Sequence, residues 1–324
     1  MNKSNLQLTV IIPTLGETRY LLALLESLKN QKVDFNFEVL LVDNSLNAET
    51  NLKLVKLALE SKLNIKVIRT SKKGVNFARN LGIEVSQASV LLFIDDDCWM
   101  NDRLLLAKHV YFHTEFQDYF AIGGIYTLHE TSGFFDRYYQ LIQMLWLYNG
   151  LIRNNGSNSK QTRYLIGGHF SAKKNMLDQF NIRFDEQIIY GGSELSLFLQ
   201  ARKLKQLLRL ENISLIHRPE LSFFILIKKL YKQGQGKAYL NENIQDEYDG
   251  NYFVKNDLSL FQILVIGFFN IFFWLGYYQK QGKMLNIFAH FFKKTVGYFK
   301  YKRYSVLANI RQKEEEKKSR GDRL

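Results

Sequence analysis

A chain of 324 residues, 46% of them apolar, can fill a real core, which excludes a disordered protein. Its formal charge of +13 and pI near 9.5 imply an anionic partner, a role that anionic lipid, nucleotide phosphate and nucleic acid satisfy equally. The one cysteine, Cys98, excludes an internal disulfide framework and fits a reducing compartment, with the cytoplasm as default.

The opening residues, MNKSNLQLTVIIPT, run straight into a strand-like segment without the long apolar stretch and small-residue cleavage site of a secretory signal. The N-terminus therefore reads as part of the fold. Over the first hundred residues, β-branched or leucine-rich runs alternate with helical patterns, as in a parallel sheet covered by helices. Strands are predicted at Gln7 to Ile12, Glu38 to Val42, Ile65 to Arg69 and Val90 to Ile94. Between them, Tyr20 to Lys29, Thr50 to Ser61 and Val75 to Val85 carry apolar residues at helical spacing. Ligands bind beyond the carboxyl ends of the strands in such a sheet. Three polar groups fall there, in one crevice: Pro13-Thr14, Asp43-Asn44-Ser45 and Asp95-Asp96-Asp97.

Further along, Phe120 to Leu128 and Tyr164 to Ser171 predict strands, with an aromatic and aliphatic helix from Phe134 to Tyr148 between them. The stretch RNNGSNSK, ending at Lys160, reads as a mobile loop. Gly191-Gly192 introduce a helix from Ser193 to Lys203, followed by a strand ending near His217-Arg218-Pro219. From Leu221 the composition shifts to a basic helix, an acidic connector (NENIQDEYDG) and the apolar run Leu258 to Tyr278. An aromatic-basic helix from Met284 to Tyr301 and a charged tail with little to bury complete the chain.

The three consecutive aspartates closing VLLFI are the sharpest chemical feature. Carboxylates crowded at one point repel unless a cation offsets them. Hard ions such as Mg²⁺ or Mn²⁺ take oxygen ligands, shared between a few protein carboxylates, substrate phosphates and water. A single aspartate would read as a helix cap; three after a buried strand favour a metal. Other features read as ordinary. Cys98 has no second cysteine to build a soft-metal site, and His109 and His113 lack the glutamate pattern of a zinc protease. Arg320-Gly321-Asp322 is a coincidence in a charged tail.

Five segments in order, TVIIPTLGETRYLLALLESL, EVLLVDNS, GVNFARNLGIEVSQASVLLFIDDDCW, IGGHFSAKKNM and FDEQIIYGGSELSLFLQARK, together with ISLIHRP, resemble the family 2 glycosyltransferases from about Thr9 to Pro219. The resemblance implies an α/β A-type glycosyltransferase fold, a Rossmann-like mixed sheet flanked by helices. It also implies inverting, metal-dependent transfer of a sugar from a nucleotide diphosphate sugar to an acceptor hydroxyl, UDP-linked donors being commoner in the family than GDP-linked ones.

Carried onto this chain, the resemblance makes Asp43 a contact to the nucleotide base, with a turn role equally open. Pro13 and Thr14 join the donor site at the first strand's end. Arg79 and Asn80 match the donor-site helix, where an arginine can bind a carboxylate or diphosphate bidentately; a surface ion pair is the competing reading. Asp95 and Asp97 match the metal-binding pair and Asp96 faces the nucleotide sugar, although which two of the three touch metal stays open. The family places an acidic residue at the start of the late helix, usually within Glu-Asp, whereas this chain has Ser193-Glu194. Glu194 can still take the acceptor's proton, and the alternative is an acidic residue favoured by the helix dipole. His217 matches a histidine that binds metal or diphosphate in some members, or else simply closes a strand. Gly167, Gly168 and His169 match the acceptor-site segment, where histidine is unusual. Gln200-Ala201-Arg202-Lys203 replaces the Q-x-x-R-W pattern of processive synthases, which favours one addition per encounter.

The run Leu258 to Tyr278 has the length to cross a bilayer. A crossing would export the lysines that follow, from Lys280 to Lys302, against the positive-inside tendency. Interfacial attachment is the first reading, a single span the second and a soluble appendage the third. The aromatic-basic helix favours anionic lipid. The expected organisation is a catalytic domain over 1–220 (nucleotide-binding half 1–100, acceptor half 101–220), a membrane-associating helical appendage over 221–305, and a tail over 306–324. The expected setting is the cytoplasmic face of a membrane, with a glycan or lipid-linked acceptor in surface polysaccharide or lipid-linked glycan assembly, and no nucleic acid. Two rivals remain: a metal-dependent nucleotidyltransferase, which leaves Glu194 unexplained, and a catalytically inactive basic binding module, which lacks a nucleic-acid motif.

Overall fold

The computed structural model describes residues 6–16, 18–152, 160–188, 192–243 and 260–284. Most of the predicted loop before Lys160, Gly191, the connector beyond Asn243, the helix predicted from Met284 and the tail lie outside the described residues.

The N-terminal half alternates strand and helix: β1 (Leu6–Thr14), α1 (Thr18–Lys29), β2 (Asn36–Asp43), α2 (Ala48–Glu60), β3 (Ile65–Arg69), α3 (Val75–Val85) and β4 (Val90–Ile94). Every residue of β4 is buried, as a central strand covered on both faces requires. β1 pairs in parallel with β2 and with β4, and β2 with β3. Parallel pairing brings the carboxyl ends to one edge, where Thr14 stands opposite Asp43 and the aspartates follow Ile94.

The chain continues through β5 (Cys98–Trp99), α4 (Leu105–Glu115), β6 (Tyr119–Leu128), α5 (Phe134–Gly150), β7 (Gln161–Thr162), β8 (His169–Lys173), α6 (Lys174–Gln179), α7 (Ser193–Lys203) and β9 (Leu207–His217). The sheet is mixed, in the order β3-β2-β1-β4-β8-β6-β9-β5, with β7 on β9. β8 runs antiparallel to β4 and sets His169 opposite Ile94. β5 runs antiparallel to β9 and pairs Cys98 with His217. The strand predicted from Tyr164 begins only at His169. The preceding residues leave the ladder for a turn closed by the His169 N–H donating to the Ile166 carbonyl at 3.1 Å.

α8 (Phe223–Asn243) and α9 (Leu260–Lys280) follow. They pack on α5 around a second apolar cluster that includes Tyr138, Tyr139, Leu230, Ile266, Phe269 and Phe273. The helices approach backbone to backbone, since a Cβ on Gly234 would strike the Phe273 carbonyl and one on Gly276 the Tyr231 carbonyl. Asp136 ties this layer to the sheet domain by accepting from the N–H groups of Gly133 (3.1 Å) and Leu221 (2.8 Å). Among the described residues, no helix is long and apolar enough to cross a membrane. α9 carries Gln262 and Asn270 within its apolar run and packs one face against α8 and α5.

His109 and His113 lie on α4 and converge in the core on one hydroxyl, Ser171 Oγ, at 2.8 and 2.9 Å. The His109 ring also meets His169 edge-on. Burial lowers the pKa of His113 to about 3 and of His169 to about 4, and that of His109 well below its usual value. All three are therefore neutral in the folded protein near neutrality, while in the unfolded chain they take up protons below about pH 6.5. The unfolded state then binds more protons, so stability should fall as pH drops from about 6.5 towards 3–4, by about 1.4 kcal/mol per pH unit for each histidine. Melting temperature measured against pH checks this. A His169→Gln variant should have a shallower dependence, and an unchanged slope would contradict the assignment.

Candidate active site

Beyond Ile94 the chain turns, with the Cys98 N–H donating to the Asp95 carbonyl at 3.2 Å, and Asp95, Asp96 and Asp97 all line a cavity of about 460 Å³. Each carboxylate has its own partner. Asp95 Oδ1 accepts from Arg79 Nη2 at 2.8 Å, and Tyr126 OH lies 3.4 Å from its Oδ2. Asp96 Oδ2 accepts from Thr14 Oγ1 at 2.6 Å, which links the ends of β1 and β4. Asp97 Oδ2 lies 3.3 Å from His217 Nε2, a meeting made by the β5–β9 pairing. Burial, reinforced by the charges of Asp97 and Asp95, pushes Asp96 up to about 7 despite the Thr14 hydrogen bond. Burial alone would also raise Asp97, but the His217 ring and Lys229 more than offset it and hold that carboxyl below its ordinary value.

Such crowding of carboxylates is stable only beside positive charge, and the donor set fits a hard divalent ion. Asp97, Cys98 and His217 offer ligand atoms within 4.8 Å of one another. The Cys98 thiol is pushed well up by burial and by Asp97 and Asp95, so it stays protonated, and oxygen and imidazole donors are left to act. A second source of positive charge comes from α8. Lys229 reaches the same cavity with Nζ 4.4 Å from the Tyr139 ring centroid. Burial would lower its pKa, yet Tyr139, Asp97 and Asp95 together raise it, so Lys229 is a cation at neutral pH.

Glu194, in the first turn of α7, lines the cavity too. The turn before β8 separates it from the aspartates: a Cβ on Gly167 would sit 3.0 Å from the Glu194 carboxyl, and one on Gly168 would collide with the Asp95 carboxyl and the Tyr126 hydroxyl. Gly168 thus fits as the backbone against which Asp95 is set. Gly168→Ala should displace Asp95, reduce turnover on the order of 10²-fold and cost about 1–3 kcal/mol in stability. Gly167→Ala should be milder, because Glu194 need give by only a few tenths of an ångström. Comparing kcat and Tm of the two variants checks the assignment, and equal effects would contradict it.

Of the residues expected from sequence, Pro13, Thr14, Arg79, Asp95, Asp96, Asp97, Gly168, Glu194 and His217 share this cavity. Asp43 and His169 do not line it: of the two roles left open for Asp43 the structure shows the turn, and the acceptor contact expected of His169 needs correction. The Asp43 side chain is buried in its own turn, accepting from Ser45 N and Oγ at 2.9 and 2.6 Å and from Asn51 Nδ2 at 3.0 Å. Its neighbour Asn44 lines the cavity instead. His169 has no exposed surface, and its Nδ1 lies 3.0 Å from the Ile125 carbonyl, so it stands below the site in the sheet and cannot touch an acceptor. Asn80 is occupied by the Phe184 backbone, to which its amide both donates and accepts at 2.9 Å. Sequence reasoning missed Lys73, Lys229 and Gln233 in the lining. A signal for the last two exists: Lys229, Gln233 and Lys237 form a polar stripe at four-residue spacing on a helix whose neighbouring Leu226, Leu230 and Leu240 are buried.

Several known proteins are similar to this chain in fold or in sequence. The chain is similar to S. aureus TarS 1-349, with 18% identity and a TM-score of 0.52 over 90% of this chain and 92% of that one. It is also similar to the mannosyltransferase PcManGT from Pyrobaculum calidifontis, in complex with GDP-Man and Mn²⁺, with 14% identity and a TM-score of 0.56 over 89% and 86%. At such identities the likeness is one of fold, an α/β glycosyltransferase A-type sheet flanked by helices. In sequence, a chondroitin synthase of Pasteurella multocida is 34% identical over 29% of the chain. The poly(ribitol-phosphate) beta-N-acetylglucosaminyltransferase TarS of Staphylococcus aureus is 33% identical over 31%. The chain spans only 10% and 18% of the length of these two relatives. A family model described as "Glycosyl transferase family 2" matches residues 9–180, more than half of the chain. With that match laid over the strands and the aspartate cluster just described, the chain belongs to glycosyl transferase family 2.

Proposed function

We propose that the protein transfers a sugar from a nucleotide diphosphate sugar, UDP-linked in preference to GDP-linked, onto an acceptor hydroxyl with inversion, using Mn²⁺ or Mg²⁺. One observation carries this reading: a single cavity holds three strand-end carboxylates beside Arg79, Lys229 and His217, with Glu194 across adjacent glycines. Asp97 and His217, with Asp95, would hold the cation, which when bound neutralises charge on the departing diphosphate as a Lewis acid. Arg79, itself buried, fixes Asp95. Lys229 stands where it can pair with the diphosphate and restrain it during bond breaking. Glu194 accepts the acceptor hydroxyl's proton. Similar structures of TarS with UDP-GlcNAc and of PcManGT with GDP-Man and Mn²⁺ support this choice of donor and ion.

Product analysis tests the proposal. Incubation with UDP- and GDP-sugars, Mn²⁺ and glycan acceptors should release nucleoside diphosphate. Released pyrophosphate would favour the nucleotidyltransferase, and salt-sensitive nucleic-acid binding without donor turnover would favour the basic module.

We place the protein at the cytoplasmic face of a membrane, in surface polysaccharide or lipid-linked glycan assembly. Phe134, Phe224, Ile225, Phe261, Leu264 and Phe268 are exposed on α5, α8 and α9, around ring contacts among Phe135, Phe223 and Phe269. Clustered apolar exposure of this kind marks an interaction surface, and the lysine-rich sequence after α9 favours anionic lipid. The proposed division into a catalytic domain to residue 220 and a helical appendage gains one refinement: Lys229 and Gln233 bring the appendage into the catalytic cavity.

A further inference from the structure

A second chamber, of about 100 Å³, adjoins the catalytic cavity, and Tyr139, Gln143, Gly192, Glu194 and Gln233 line both. Glu194 therefore stands at their junction. The aspartates, Arg79 and Lys229 line only the first. The second is walled mainly by Ile142, Trp146, Leu195, Leu230, Leu240 and Phe273, with Lys237 and Asn270 as its own polar side chains, from α5, α7, α8 and α9.

We infer that this chamber seats an apolar aglycone of the acceptor, an alkyl or prenyl chain attached next to the sugar whose hydroxyl faces Glu194. The inference rests on the glycosyl-transfer reading and narrows its acceptor to a glycolipid class. Away from the junction, Lys237 and Asn270 are the polar side chains among mostly hydrocarbon walls, so a fully hydroxylated sugar ring seated there would leave hydroxyl groups without partners. A hydrocarbon chain gains from the same walls. The chamber also lies between the helices that carry the exposed aromatic face, so the part of the molecule proposed to meet lipid also forms the acceptor's seat.

The test titrates n-hexyl and methyl β-glycosides of the same sugars, below micelle-forming concentrations, into the full chain by calorimetry. Hexyl glycosides should bind at least about tenfold tighter than their methyl partners. Ile142→Trp, which fills the chamber, should remove that preference. Because overpacking there can cost stability, Asn270→Phe narrows the chamber from the α9 side as a second variant. Equal affinities, no binding of hexyl glycosides, or a preference that survives both substitutions, as adsorption on the exposed aromatic face would give, each overturns the inference. A thermal shift by UDP with Mn²⁺, measured on the same preparations, separates the two readings. Its absence would sink glycosyl transfer itself, whereas its presence without hexyl preference sinks only the apolar acceptor.

Discussion

Asp97→Asn is expected to lower kcat by about 10³-fold and to remove the dependence of donor binding on Mn²⁺. Asparagine keeps the shape of the side chain and deletes its charge, so the change bears on the cation and not on packing. Asp97 is the informative member of the cluster because of its partners. Its carboxyl lies 3.3 Å from His217 and its pKa is held down by His217 and Lys229, so it is the ionised group best placed to share a cation with an imidazole. Asp95 is a poorer choice. Its loss would remove a carboxylate partner of the buried Arg79 guanidinium, 4% exposed, and an inactive variant could then reflect misfolding. Steady-state kinetics with nucleotide binding measured with and without Mn²⁺ decides the matter, and an Asp97→Asn enzyme within about threefold of wild-type turnover would contradict it.

Glu194→Gln is expected to separate binding from chemistry. The carboxamide fills the same space beside Gly167 and cannot accept the acceptor's proton. Turnover should fall by about 10² to 10⁴-fold, the usual contribution of a positioned base, while nucleotide affinity and its Mn²⁺ response stay at the wild-type level. Near-normal kcat would mean that another group takes the proton.

The two sets of residues were not equally legible in the sequence. β3, α3 and β4 coincide with the predicted spans: β4, buried on both faces, leaves an unbroken apolar run, β3 at the sheet edge keeps its β-branched residues, and α3 keeps its helical periodicity. The aspartates were legible for the same reason, since ligands gather at the carboxyl ends of such strands. The pairing of Asp97 with His217 was not derivable from local pattern. It depends on β5, two residues long, finding β9 across more than a hundred residues. Lys229 was hidden in a basic helix of the appendage, where sequence places it near a membrane and packing turns it towards the carboxylates. His169, and the base-contact alternative for Asp43, show the opposite. Their residue types invite chemistry, yet a turn and the sheet interior absorb both. The segment from Tyr164 to Gly168 misled in a third way, since its apolar residues read as strand while its glycines serve a turn that spaces Asp95 from Glu194.

Seating of a cation by the carboxylates after β4, for the benefit of a nucleotide diphosphate, is tested most directly by calorimetric titration of UDP into the protein in Mn²⁺ and, separately, in EDTA. The expected result is binding at least about tenfold tighter in Mn²⁺, with a matching rise in melting temperature. Equal affinity in the two buffers, or no binding of either UDP or GDP, would contradict it.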